Sequence, residues 1–422
     1  MDDLIIIGAG ASGLMAAIAA ARNGLTVTIL EQNKRPGRKL LATGNGKCNL
    51  TNTSDPSKAY RGEDPTFALR VLEHFSVEDT LAFFHDLGLL TVSHNGWIYP
   101  YSEQSQTVLK LLLRECDRLG VRIRTDTKVT GLRVVKADSD CSEENRSEET
   151  GAPCAGPRFH VDTSGWTYET RSVILACGSP ASEVTGSSDS GYKIAAGLGH
   201  TLISPCPALT SLASDDPRIT RWGGTRAYAS VTLITDSQPV ITRSGQLQLN
   251  DRSLSGIPVF QISRFAARAL AAGKKTSIEV DFMPDMSEER LIDFFEERLG
   301  KEESRSGIKG TVLGEALTGL FPEKLIDVFL MYAHSPQRLA AAIKHFRLAV
   351  SGTASLKHAQ VAAGGIATGE TDPATMASKL VPGLYLTGEL LDIDGDCGGW
   401  NLQFAWSTGY LAGQAASEGK SK

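Results

Sequence analysis

The sequence predicts a mixed α/β chain in which a helix-wound parallel sheet is interrupted by a second unit and then completed. Three observations lead there. The first 31 residues run strand, glycine turn, helix, strand. From about His200 the texture changes to short alternating segments divided by turn residues, and after Val350 the glycine-rich texture of the N-terminus returns. A middle unit inserted into a split domain explains that order better than two domains in series.

Composition narrows the field. Of 42 glycines in 422 residues, 17 fall in residues 1–50 and 364–413. Such clustering marks backbone that turns tightly or comes close to a ligand. Lys+Arg number 43 against 48 Asp+Glu, and the net charge of −5 speaks against a polybasic nucleic-acid binder. Seven cysteines without a C-x-x-C pair argue against a disulfide framework or a zinc site and for a cytoplasmic home. Residues 4–21 carry no charge, but Gly8, Gly10 and Gly13 interrupt them and Asp2 and Asp3 precede them, so no membrane span is expected.

The elements follow in order. Leu4-Ile5-Ile6-Ile7 has the apolar run of a strand buried on both faces, residues 12–22 are an alanine-rich helix stopped at Gly24, and residues 26–30 are a β-branched strand. Residues 67–87 and 108–119 each read as an amphipathic helix, and 121–124 as a strand. Residues 138–157, acidic and small with two prolines, read as a long loop between strands at 131–135 and 158–162. Residues 171–176 form another buried strand, ending at Gly178. In the middle unit, residues 231–240 and 246–249 read as antiparallel strands, 259–271 and 287–299 as helices, and 301–309 as a charged loop. Ser287 followed by Glu288 and Glu289 caps the second helix. Residues 384–387 form a last strand, and a helix runs from 402 to 416.

The chemistry begins at Gly8-Ala9-Gly10-Ala11-Ser12-Gly13, a G-x-G-x-x-G run in the right context, with a strand before it and a helix after. Gly8 permits the turn, Gly10 lets a pyrophosphate approach, and Gly13 lets helix and strand pack, while the helix N-terminus offers amides to the phosphates. Glu31, 18 residues past Gly13, is placed to accept from a ribose 2′-hydroxyl and would repel a 2′-phosphate, so FAD or NAD is expected rather than NADP. The polar, glycine-broken loop from Arg35 to Asn52 decides for FAD. It can run along the cofactor, whereas a plain NAD domain would proceed to its next helix.

These motifs identify a resemblance. Gly37-Arg38-Lys39-Leu40 through Asn52 is similar to the GRKLLxTGNGRCNLTN signature of the BaiN-like flavoproteins, also called aminoacetone oxidase family FAD-binding enzymes. Residues 186–192 with Gly199-His200 look like that family's GSxGxGY…GH, residues 254–261 like its LSGxPVxQ, and Gly364-Gly365-Ile366, residues 388–395 and residues 398–403 like its C-terminal block. Before LSG the chain departs, reading Asn250-Asp251-Arg252-Ser253. The resemblance implies a split Rossmann-like FAD-binding domain at 1–198 and 351–422. An inserted substrate domain at 199–350 would hold an antiparallel β-barrel (199–283 plus 337–350) and a small helical subdomain (284–336).

The expected cofactor contacts are Gly8, Gly10, Ala11, Ser12, Gly13, Glu31, Gln32, Arg38, Lys39, Thr43, Gly44, Asn45, Gly46, Cys48, Asn49, Val129, Ala176, Cys177, Gly178, Gly388, Glu389, Gly399, Asn401 and Leu402. A helix N-terminus after Gly398-Gly399 would stabilise an anionic reduced flavin. Tyr99 and Tyr101, in an aromatic turn-rich segment, are candidate proton donors to a substrate carbonyl. Cys48 and Cys397 are expected to be small buried thiols, and His200, His345 and His358 structural. Asp392, Asp394 and Asp396 alternate like calcium ligands but lack a Glu at the twelfth loop position, so no metal is expected.

No second G-x-G-x-x-G follows a strand, so NAD(P)H would have to reach the flavin in a shared pocket. The expected function is hydride transfer between FAD N5 and a small hydrophobic substrate lodged between the FAD domain and the insert. Reduction of a conjugated steroid-like enone is preferred to amine oxidation with release of H2O2. An FAD-dependent RNA-modifying protein and a purely structural flavoprotein are the readings from other classes. No nucleic-acid partner is expected, and the oligomeric state is left open.

Overall fold

In this computed structural model the described residues are 2–135, 158–306, 313–331, 333 and 335–418. The loop expected at 138–157 lies outside them. The chain divides into two compact units, Met1–Pro205 with Val361–Lys422, and Cys206–Gln360.

The first unit opens with β1 (Asp2–Ile7), α1 (Ala11–Arg22) and β2 (Val27–Leu30). Four successive aliphatic residues leave β1 no polar face, so it is covered on both sides. Next come α2 (Arg38–Ala42), β3 (Thr51–Asn52) and β4 (Tyr60–Arg61). The single helix expected over 67–87 is two, α3 (Thr66–His74) and α4 (Val77–Asp86). Ser76 makes the break: its hydroxyl accepts from the Asp79 amide while the Asp79 carboxylate accepts from the Ser76 amide, a reciprocal cap that starts a new helix. β5 (Thr91–His94), β6 (Trp97–Pro100), α5 (Ser105–Arg118), β7 (Arg122–Arg124), β8 (Val129–Val135), β9 (Arg158–Thr163), β10 (Thr167–Leu175) and α6 (Ser190–Gly197) follow. β11 (Leu202–Ala208) carries the chain across the boundary at Pro205.

In the second unit β12 (Leu212–Ala213) precedes a long hairpin, β13 (Thr225–Thr235) and β14 (Gln238–Leu249). The expected strand 231–240 therefore straddles a turn. Asp236 and Ser237 both take positive φ there, the two-residue connection whose twist suits a hairpin. β15 (Ser253–Gly256), α7 (Ile257–Ala271) and β16 (Thr276–Asp281) lead to the helices α8 (Glu288–Ser306), α9 (Leu313–Leu317), α10 (Glu323–Leu330) and α11 (Pro336–Lys344). The charged stretch expected as a loop at 301–309 continues α8 as far as Ser306. Ser287 does cap that helix, its hydroxyl accepting from the Arg290 amide. β17 (Phe346–Ala349) and β18 (Gly352–Thr353) end the unit.

Its sheet runs β17-β16-β13-β14-β15-β12-β18, antiparallel throughout. The two end strands of this path, β17 and β18, are not paired with each other, so the expected closed barrel is not shown. Val350 and Ser351, which join β17 to β18, donate their amides to Thr276 O and Ala213 O at 3.0 Å each. Trp222, Phe282, Phe329 and Phe346 meet as tilted and edge-on ring pairs in the core of this unit.

The chain re-enters the first unit through β19 (Val361–Ile366), then β20 (Leu384–Leu386), β21 (Asp394–Gly395) and α12 (Trp400–Glu418). The main sheet joins β7, β2, β1, β10 and β20 in parallel, with β9 and β8 antiparallel beyond. β10 serves two partners along one edge: Thr167–Thr170 pairs with β9, and Val173–Leu175 with β20. Ile7, Leu30, Leu175 and Leu386 thus end at one edge of the sheet, the carboxyl edge where ligands of open α/β sheets bind. α12 crosses α1 at close range, because a Cβ on Gly409 or Gly413 would stand 2.3 Å from the carbonyl oxygen of Ser12 or Ala16. Among the described residues no helix is long and apolar enough to cross a membrane.

Candidate functional site

The carboxyl edge assembles the glycine turn first. Gly8 has φ +107, and a Cβ there would meet the Ala176 carbonyl oxygen at 2.5 Å. A Cβ on Gly13 would sit 2.0 Å from the Gly8 oxygen, whereas one on Gly10 finds nothing within 4 Å. Two glycines are therefore required by packing and the third leaves open space. α1 starts at Ala11 and Ser12 with no side-chain cap and no acidic residue in its first turn. Its own first turn therefore brings no negative charge to its positive dipole end.

Glu31 follows β2 and is 7% exposed. Its Oε2 accepts from the Ala9 amide at 2.8 Å, and Oε1 accepts from the Asn33 amide and side chain at 2.8 and 2.7 Å. Gln32 donates to the Gly186 carbonyl at 2.8 Å, and Arg38 to Asn33 Oδ1 at 3.1 Å. Val129 is buried at the start of β8.

The segment after α2 is unusually bent. Gly44, Asn45, Gly46 and Cys48 all take positive φ, and the Thr43 hydroxyl donates back to Leu40 O at 2.6 Å. Cys48 is fully buried, and burial pushes its thiol up to about 12, so the thiolate needed for reactivity is disfavoured. Asn49 is buried beside it.

Ala176 donates its amide to Ile7 O at 2.9 Å, and the neighbouring Cys177 and Gly178 leave β10 at the same edge. Burial pushes the Cys177 thiol up to about 12 as well. The C-terminal segment closes in from the other side. Thr387 donates to the Ser12 hydroxyl at 3.2 Å, and a Cβ on Gly388 would come within 2.9 Å of that same oxygen. Glu389 accepts from Lys39 Nζ at 2.5 Å, Ser179 Oγ at 2.7 Å and the Ala362 amide at 3.0 Å. A Cβ on Gly399 would lie 2.7 Å from Thr51 O, so the start of α12 rests on the strand that ends the bent segment. Asn401 is turned to another task, bonding both the amide and the carbonyl of Gly395 at 2.9 Å. Leu402 packs against the core.

Tyr99 lies half-buried beside Gly44, while Tyr101 is 72% exposed. His200 is buried between Glu370 and Ser378, at 3.0 and 2.9 Å. His345, in the second unit, is paired with Glu279 and Glu288. Sequence reasoning missed Ser179, Ala362 and a chain of Lys47, Glu103 and His94. Lys47 lies inside the Gly37–Asn52 motif but was not singled out, and the other four belong to no motif.

The family described as HI0933-like protein Rossmann domain matches residues 2–415. The chain belongs to that family. It has the fold of the FAD-binding oxidoreductases. A 3-dehydro-bile acid delta(4,6)-reductase from Clostridium scindens is 41% identical over 99% of this chain and 100% of that protein. A ribosomal RNA dihydrouridine synthase from Escherichia coli is 28% identical, with 99% of each chain covered. Among solved structures, a 3-ketosteroid delta1-dehydrogenase from Sterolibacterium denitrificans aligns over 99% of each chain with TM-score 0.51 and 11% identity, a likeness of fold.

Proposed function

We propose that this family member is an FAD-dependent reductase of a carbon–carbon double bond conjugated with a carbonyl, in a hydrophobic steroid-like substrate, with a nicotinamide as electron donor. The observation that carries the reading is the 41% identity, end to end, with the 3-dehydro-bile acid delta(4,6)-reductase.

The residues fit the cofactor. The open space at Gly10 and the uncapped start of α1 make a cradle a diphosphate would fill. FAD, when bound, supplies the hydride. Glu31 would accept from ribose hydroxyls, and the amides of Ala11 and Ser12 would hold the pyrophosphate. α12 has no acidic residue in its first turn, so its positive end would favour negative charge on a ring beside Gly399. The bent segment from Thr43 to Asn49 would line the same cofactor, and Lys39 with Glu389 would hold it against the C-terminal segment.

Anaerobic titration tests the reading. NADH should bleach the bound flavin, and a 3-oxo-Δ4,6 steroid should restore its colour without oxygen. Bleaching by amines instead, with peroxide formed in air, would overturn it. A second reading has support from the ribosomal RNA dihydrouridine synthases of Escherichia coli and Haemophilus influenzae, at 28% and 26% identity. A uracil ring also holds a double bond conjugated with a carbonyl. Ribosomal RNA fragments replace the steroid in the same assay, and recolouring by RNA alone would select this reading.

A further inference from the structure

β6 lies between β3 and β5, with Thr51 opposite Ile98 and Val92 opposite Tyr99. The Leu50 amide donates to Ile98 O at 2.7 Å, which seats Tyr99 alongside the end of the bent segment. Its Cε1 is 3.8 Å from where a Cβ of Gly44 would be. Three ionisable groups from three segments gather at this ring. Lys47 Nζ lies 2.5 Å from Glu103 Oε2, and His94 Nε2 lies 2.8 Å from Glu103 Oε1. The His94 and Tyr99 rings are 5.6 Å apart. Glu103, at φ +48, donates its amide hydrogen to Pro100 O at 2.7 Å. One carboxylate thus ties a lysine of the bent segment to the β5 histidine whose ring neighbours Tyr99.

We propose that Tyr99 is the proton donor of the reduction, and that Lys47, Glu103 and His94 are positioning residues that hold the phenol and connect it to solvent. The inference rests on the reductase reading. In such a reduction the β-carbon receives the hydride and the π-electron pair shifts toward the carbonyl. The α-carbon then forms its new C–H bond with the proton of the Tyr99 hydroxyl, whose O–H bond breaks. The phenolate left beside Lys47 recovers a proton from water by way of the His94–Glu103 pair. Both electrons come from the reduced cofactor, which a nicotinamide restores.

The surroundings suit an acid. Burial raises the Tyr99 phenol above its ordinary value, Lys47 opposes that, and Glu103 adds to it. The phenol therefore keeps its proton at neutral pH, and Lys47 stands ready for the anion formed in the step. A general acid of this kind contributes about 10²- to 10⁴-fold in rate.

The test is single-turnover reoxidation of pre-reduced holoenzyme by a 3-oxo-Δ4,6 steroid without oxygen, across pH. Tyr99→Phe should slow reoxidation at least about 100-fold, with FAD content and reduction by NADH unchanged, and should abolish the fall in rate at alkaline pH. Glu103→Gln should move that fall to lower pH, since Glu103 raises the phenol, while Lys47→Met should move it higher. A Tyr99→Phe rate within about threefold of the parent would overturn the assignment of the acid. A Glu103→Gln profile identical to the parent's would overturn the positioning role. If the parent itself is not reoxidised by the steroid, the reductase reading falls and takes this inference with it, an outcome separate from both.

Discussion

Lys39 Nζ stands 2.5 Å from Glu389 Oε2, although 350 positions separate the two residues in the chain. The pair closes α2 onto the segment after β20. The Ser179 hydroxyl and the Ala362 amide complete the carboxylate's shell, so one side chain gathers four stretches of chain at the carboxyl edge of the sheet. A partly buried, charge-assisted contact of this kind does more to hold geometry than to add stability.

Breaking that pair should loosen the cofactor while the protein stays folded. Lys39→Met or Glu389→Gln is expected to weaken FAD binding about tenfold, near 1.4 kcal/mol. The double variant should cost little more than either alone, as for groups acting together. Flavin fluorescence titration of the apoprotein measures it, and fully additive losses would show that the two act independently.

Glu31→Ala should lose FAD with the fold retained. Its carboxylate accepts from the Ala9 amide inside the glycine turn, so removal frees a turn amide as well as a ribose acceptor. The ratio of flavin to protein absorbance after purification checks it. A variant as yellow as the parent would sink the assignment.

Gly10 and Gly413 should fail in opposite ways. A Cβ on Gly10 meets no atom within 4 Å, so Gly10→Ala should melt like the parent but bind FAD poorly. A Cβ on Gly413 would press into the Ala16 carbonyl oxygen at 2.3 Å. That contact is backbone on a buried helix, so Gly413→Ala should destabilise by about 2 kcal/mol. Thermal melts of the two apoproteins separate the effects.

Acid should weaken the first unit through Glu115. Arg118 bonds both its carboxylate oxygens and Arg22 reaches one of them, which holds its carboxyl at about 2 against an ordinary 4.5. The carboxyl is depressed in the folded state, so its stabilisation is complete above about 4.5 and fades as pH falls toward 2. Glu115→Gln should remove about 2 kcal/mol at neutral pH and flatten the stability curve across that interval. Denaturant midpoints at neutral pH and near pH 3 would read the difference.

What could be read in the residues follows how far each interaction reaches along the chain. The strand–turn–helix at the N-terminus and the later strand–glycine segments depend on neighbouring side chains and on backbone that tolerates no Cβ, so local pattern sufficed. The division of residues 66–86 into two helices was also local, written in Ser76 and Asp79, but a continuous amphipathic pattern concealed it. The turn at Asp236-Ser237 was concealed likewise, because strand-forming residues flank it without the expected Gly.

The sequence by itself determined a nucleotide-type glycine turn on a parallel sheet, the glycine-rich C-terminal segment and the family. Only the tertiary structure decided the strand order of the second unit's sheet. It alone also set Gly409 and Gly413 against α1, Glu389 as partner of Lys39, and Glu103 between Lys47 and His94. The physical reason is one of range. Local pattern records which backbone conformations and burial each stretch prefers, whereas an ion pair or a close helix crossing depends on two surfaces meeting in space. No periodicity along the chain records where its distant parts come to rest.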